Sequence, residues 1–97
     1  MSRQARWRWC DAAELPRKQG IYALYDRTGT LVYIGSSSGN IKDRVQCHLR
    51  KPWGIQAIKV SIMRGSAYLR EQKLIRRLRP KLNRRVNYNH LAFNLHN

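Results

Sequence analysis

The sequence predicts an α+β fold, a small three-stranded antiparallel sheet flanked by helices, in one domain taking in residues 1–97. Three observations carry this expectation. A period-two run from Gly20 to Gly35 is broken midway by "DRTGT", so it reads as two strands and a turn. A second alternating run follows at "AIKVSIM", and apolar residues recur at helical spacing in "IKDRVQCHLRK" and again from Ser66 to Leu78.

In the first run Ile21, Ala23 and Tyr25 point one way, and Tyr22 and Leu24 the other. Gly29 can take the positive φ that a tight hairpin turn needs. Centring the turn on Arg27 and Thr28 sets Tyr22 opposite Tyr33 on one face, with Val32 and Ile34 on the other. Both faces then carry apolar groups, as in a sheet covered on each side. Asn40 is placed to cap the first helix and Asp43 lies in its first turn, where the helix dipole favours an acid. Pro52 and Gly54 end that helix. Its apolar stripe is Ile41, Val45 and Leu49, while Arg44 and His48, four residues apart, share the face at the stripe's margin. In the third strand Ile58, Val60 and Ile62 alternate with Lys59 and Ser61. Ser66 begins the second helix, whose stripe is Ala67, Leu74, Ile75 and Leu78, and Pro80 closes it. The segment from Val86 onward, where Leu91, Phe93 and Leu95 alternate, reads as a short extended piece or a frayed end.

Twenty Lys and Arg stand against five Asp and Glu, a formal charge of +15. Such self-repulsion is relieved by a polyanion, so nucleic acid is the expected partner, and Lys42, Arg50, Lys51, Arg84 and Arg85 are the basic residues placed for contact with it. A basic membrane-surface helix is disfavoured because the cations run from Arg3 to Arg85. No run approaches the ~20 apolar residues of a membrane span, and the N-terminus lacks the apolar stretch of a signal peptide, so the expectation is a cytoplasmic, DNA-associated protein with no membrane. Cys10 and Cys47 lack metal-site spacing and read as free buried thiols.

Glu71 falls inside the second helix's apolar stripe, with Ala67, Tyr68, Leu74 and Ile75 as its helical neighbours and no local cation. A carboxylate there must be neutralised, hydrogen-bonded or bound to a metal. Asp11 and Glu14 precede the hairpin, Asp26 sits in its turn and Asp43 at a helix start, which leaves Glu71 as the best-placed ligand for a hard cation such as Mg2+ or Mn2+. One such ion would keep several waters and take other oxygens from a phosphate. Phosphodiester hydrolysis also needs a cation and a proton acceptor: Arg44 supplies a permanent positive fork and His48 can take or relay a proton. Tyr22 or Tyr33 could serve as base if metal and Arg lower a phenol from its usual ~10.

"GIY" at Gly20–Tyr22, "YIG" at Tyr33–Gly35, the Arg of "NIKDRVQCH", the Glu of "REQKLI" and the Asn of "PKLN" together resemble the ordered motifs of the GIY-YIG endonuclease superfamily, over Gly20 to Asn83. The resemblance implies a metal-dependent DNA endonuclease. It implies Tyr22 as general base or contact to a metal-bound water, Tyr33 as a hydroxyl near nucleophile or phosphate, and Arg44 as the stabiliser of transition-state charge. It gives His48 a part in proton transfer, Glu71 the single metal, and Asn83 a supporting place at the rim. Gly20 and Gly35 would be structural, Gly35 allowing a tight backbone passage. Two departures stand out. Only 19 residues precede Gly20 and 14 follow Asn83, so no second DNA-binding domain is expected, and targeting of double-stranded or branched DNA falls to the basic surface, a homodimer or a partner. Ser36 follows "YIG" where other members have lysine, and Lys42 is the candidate replacement. The rival function is a non-catalytic nucleic-acid-binding module on the same scaffold.

Overall fold

The structure, a computed structural model, describes residues 6–83. The expectations for Arg84, Arg85 and the segment from Val86 onward lie outside the described residues.

Strand β1 (Arg8–Trp9) and a 3-10 turn (Ala12–Glu14) lead into β2 (Gly20–Asp26) and β3 (Leu31–Ser37); helix α1 (Ile41–Leu49), strand β4 (Ile55–Ile62) and helix α2 (Ala67–Leu78) follow. The sheet is antiparallel with strand order β1-β4-β2-β3. Among the described residues it therefore has four strands and not three. The extra strand is only two residues long, Arg8 opposite Val60 and Trp9 opposite Lys59, and the Cys10 N–H extends it by donating to the Ile58 carbonyl at 2.8 Å. So short a segment has no periodicity of its own and forms because the outer edge of β4 offers it unpaired groups.

Helices cover both faces, as the apolar groups on both sides of β2 require. Tyr22, Leu24 and Val60 pack with Ile41 and Val45 of α1 and with Leu15, while Ile21, Ala23 and Ile34 pack with Ala67, Leu74 and Ile75 of α2. Leu78 departs from the expected stripe: it is 48% exposed, at the last position of α2. Past it Arg79 adopts the left-handed conformation (φ 47°) and donates its N–H to the Ile75 carbonyl, since the residue before Pro80 is barred from continuing the helix.

The hairpin register differs from expectation by two residues. Tyr22 pairs with Gly35, and Tyr33 pairs with Leu24. The cause is the turn: Gly29 (φ 82°) adds a residue after a tight turn in which its N–H donates to the Asp26 carbonyl, and a bulge between Leu24 and Tyr25 shifts the pairing again. The bulge also brings Val32 into the cluster of Tyr33, not that of Ile34. The turn is held by the Asp26 carboxylate, which accepts from the Thr28 N–H (2.9 Å), the Thr28 hydroxyl (2.6 Å) and the Thr30 N–H (3.1 Å).

The start of α1 is well satisfied. Asn40 accepts from the Asp43 N–H, as its sequence position implies, and the Ile41 and Lys42 N–H groups donate to the carbonyls of Lys18 and Pro16. Ser66 stands at the start of α2 but makes no side-chain cap bond. Gly20 is required where the segment before the hairpin meets β4: a Cβ there would strike the Ser61 carbonyl and come within 2.8 Å of Ile41 Cδ1. Cys47 is exposed on α1 and Cys10 half-buried; both are free, so neither is the buried thiol that the sequence suggests. No helix among the described residues is long and apolar enough to cross a membrane.

Candidate active site

Tyr22 lies in the central strand and is fully buried, and its hydroxyl is 2.9 Å from His48 Nε2. The close pairing depends on Gly35 across the strand: a Cβ at that position would fall on the Tyr22 phenol oxygen and ring carbons. Gly35 is thus the floor on which the Tyr22 ring lies, as its place in the sequence pattern implies. Tyr33, two residues along β3, keeps to the same face despite the register change, with the two phenol rings stacked at a centroid distance of 6.3 Å.

His48 comes from the last turn of α1 and is buried (6% exposed), while Arg44, one turn before it, is exposed. Its ring is packed against Tyr33 (4.6 Å between centroids) and lies nearly parallel to Trp53 (5.1 Å, 17°). Trp53 also packs on Tyr33 and carries the Lys51 ammonium 4.8 Å above its ring. Burial, then the charges of Lys51 and Arg44, pull the His48 pKa down to about 4, so the imidazole is neutral at pH 7. A neutral ring can accept the Tyr22 proton at Nε2; its Nδ1 is buried without a hydrogen-bond partner.

Trp53 is the site residue that the sequence does not single out. One Trp among three carries no periodic signal, and only the fold shows that it walls the imidazole from water. Trp53→Ala is expected to move the His48 pKa up from about 4 toward the ordinary 6.5, as read by the pH titration of the His48 ring resonances.

Burial raises both phenols, and for Tyr22 it outweighs the opposing charge of Arg44; burial raises Tyr33 likewise, with the Glu71 charge adding to it. Without a bound metal ion, the condition on which an activated tyrosine is expected, both phenols stay protonated near neutral pH, and His48 is the hydrogen-bond acceptor beside Tyr22.

Glu71 is half-buried on α2, and its Oε1 accepts a 2.7 Å hydrogen bond from the Ser36 hydroxyl of β3. Ser36, noted in the sequence only as the replacement for a lysine, is therefore the group that orients this carboxylate. Desolvation raises the Glu71 pKa against the pull of Ser36 and Arg44. The chain's other four acids lie elsewhere, at the 3-10 turn, the hairpin turn and the start of α1. Among the described residues no three His, Cys, Asp or Glu converge on one point. Arg44 is exposed on α1, and its charge is felt at Tyr22, Tyr33, His48 and Glu71 together.

Asn83 is buried and has both ends of its carboxamide committed. Oδ1 accepts from the Ile34 N–H at 2.6 Å and Nδ2 donates to the Ile34 carbonyl at 2.8 Å. It holds β3 in place through these two bonds, which is a structural role beside the site. Asn83→Ala leaves two backbone groups unpaired and is expected to lower stability by about 1–3 kcal/mol, measured by urea unfolding. Of the basic residues singled out, Arg50 and Lys51 are exposed at and just beyond the end of α1; Lys42, in its first turn, is half-buried and makes no hydrogen bond to Glu71 or the tyrosines among the described residues.

The sequence has recognisable relatives. The chain is similar to UvrABC system protein C of Legionella pneumophila strain Lens, with 35% identity over 82 residues, and to that of Methylococcus capsulatus, with 34% over 83. The protein of the same name from Anaeromyxobacter dehalogenans is 31% identical over 87 residues. The first two matches cover 72% and 73% of this chain and 13% of each relative, so the chain spans a small part of the length of the curated relatives it matches. No protein-family model matches the chain.

Proposed function

We propose that the chain is a GIY-YIG-type endonuclease module that hydrolyses a DNA phosphodiester with the help of one divalent metal ion. The observation that carries this reading is the Tyr22 hydroxyl held 2.9 Å from the neutral His48 imidazole, in a cluster where the charge of Arg44 also reaches Tyr33 and Glu71. The similarity of most of the chain to one part of UvrABC system protein C supports the reading.

The donor set suits a hard cation. Glu71 is a half-buried carboxylate with one oxygen fixed by Ser36, and a Mg2+ or Mn2+ ion held there would take its other ligands from water and phosphate. When bound, the ion supplies Lewis-acid stabilisation of the charge that develops on the phosphate oxygens. The chain's own residues do the rest. Tyr22 orients an attacking water with its phenol oxygen; as that water attacks, its proton passes to the phenol oxygen while the phenol's own proton moves along its hydrogen bond to His48 Nε2, and the imidazole gives it up again as the bond to the leaving oxygen breaks. Arg44 presents a fixed positive fork to the pentavalent transition state. Tyr33 borders the same pocket of aromatic rings and limits the room for bulk water.

The test is incubation of the purified protein with supercoiled plasmid in Mg2+, Mn2+ or EDTA. Conversion to nicked or linear DNA is expected only with a divalent ion. Binding without cleavage of duplex, branched and single-stranded substrates in either metal would replace this reading with a non-catalytic nucleic-acid-binding module.

A further inference from the structure

On the α2 side of the sheet, α2 packs against β3 and β2. Strand register places Trp9 opposite Lys59, and Lys59 opposite Ala23, whose side chain lies on that same side. The shelf formed by β1, β4 and the end of β2 thus carries Trp9, Lys59 and Tyr25. Trp9 and Tyr25 have ring centroids 5.1 Å apart at 55°, and the Lys59 ammonium sits 4.6 Å from the Trp9 centroid and 5.6 Å from that of Tyr25. Trp9 is 58% exposed.

A tryptophan kept for packing hides its ring; this one displays it, on an edge strand, with a cation fixed beside it. From this we infer that the Trp9–Tyr25–Lys59 shelf is a second nucleic-acid contact that stacks an unpaired base of a single strand on Trp9 and places its phosphate near Lys59. The chemistry favours a nucleobase over other partners: an indole face takes any planar base, an ammonium beside it takes the adjoining phosphate, and a chain of formal charge +15 draws a polyanion to both. Bases within a duplex are already stacked, so the shelf selects single-stranded or unwound segments. The residues of the candidate active site are not part of it. The inference rests on the reading of the chain as a nucleic-acid-binding protein but not on cleavage.

The experiment is fluorescence anisotropy of labelled oligonucleotides in EDTA, where no cutting occurs, with single-stranded DNA, single-stranded RNA and duplex DNA as separate arms. Trp9→Ala is expected to weaken single-strand binding roughly 10-fold and to change duplex binding little, with Trp9→Phe recovering much of the loss. Lys59→Gln should weaken the single-strand arm and lower its salt dependence by about one ion. Equal loss in the DNA and RNA arms assigns the contact to the base and phosphate that the two share, and a larger loss in one arm assigns the shelf to that nucleic acid. For a test without mutation, a strand of abasic sites with the same charge should bind the unaltered protein roughly 10-fold more weakly than the normal strand. The inference is overturned if folded Trp9→Ala binds single strands as the parent does, or if it loses duplex and single-strand affinity equally. Cleavage is irrelevant to these readouts, because EDTA leaves no divalent ion free in solution.

Discussion

Tyr22→Phe is expected to lower the single-turnover cleavage rate by roughly 10²–10⁴-fold, the usual contribution of a positioned proton-transfer group, while leaving duplex affinity within about twofold. The substitution keeps the ring that rests on Gly35 and packs with Tyr33, so the fold has no steric reason to change. It removes only the hydroxyl that meets His48 Nε2. Glu71→Gln is its counterpart on the other side of the cluster: an amide of the same shape can still accept from Ser36 but brings no charge to a cation, and at least about 100-fold loss is expected. If either variant cut labelled duplex at close to the parent rate in Mn2+, the proposed roles would be wrong. Loss of DNA binding along with cleavage would point to misfolding instead.

The second large effect concerns stability. In the unfolded chain His48 takes up a proton near pH 6.5, whereas burial between Tyr33 and Trp53 delays protonation in the folded state to about pH 4. The unfolded state therefore binds more protons throughout that interval, and unfolding free energy falls as pH falls through it, by on the order of 3 kcal/mol in all. Below about pH 4 both states are protonated and this loss levels off. Glu71 works in the opposite sense: its raised folded-state pKa means that protonation relieves a buried charge as pH falls toward its unfolded value of 4.5. Asp26, held below 3.8 by Thr28 and Thr30, contributes stability that is lost only at lower pH still. Urea unfolding at a series of pH values, in a Glu71→Gln background, isolates the histidine. The His48→Gln chain should lack the fall between pH 6.5 and 4; an unchanged fall would mean that another group titrates there.

Much of this arrangement is readable from residue order because it rests on local periodicity. The alternation in β2 and β3, the spacing of Ile41 and Val45, and Asn40 at the start of α1 each follow from contacts within a few residues. What escapes the sequence depends on partners far along the chain. Register turns on one glycine and one bulge, so counting back from the turn misplaces Tyr33 by two positions while still putting both phenols on one face. Helical spacing puts His48 only at the margin of the apolar stripe; Trp53 and Tyr33 close over it in the fold. Ser36 meets Glu71 across 35 residues, and Asn83 meets Ile34 across 49. Leu78 fits the helical stripe, yet it stands at the end of α2 and stays half exposed among the described residues. The motif pattern thus fixes which residues gather, while the division of labour among them comes from burial and hydrogen bonding.

The carboxamide bound to Ile34 bears on how copies of this molecule could associate. Among the described residues β3 ends the sheet, and a strand in that position is a template onto which another chain can be zipped through its free N–H and C=O groups. Asn83 occupies those groups at the middle of the strand and acts as a stopper. Two molecules cannot merge their sheets at Ile34 without first prising it out, so pairing of copies along this strand is opposed at its middle.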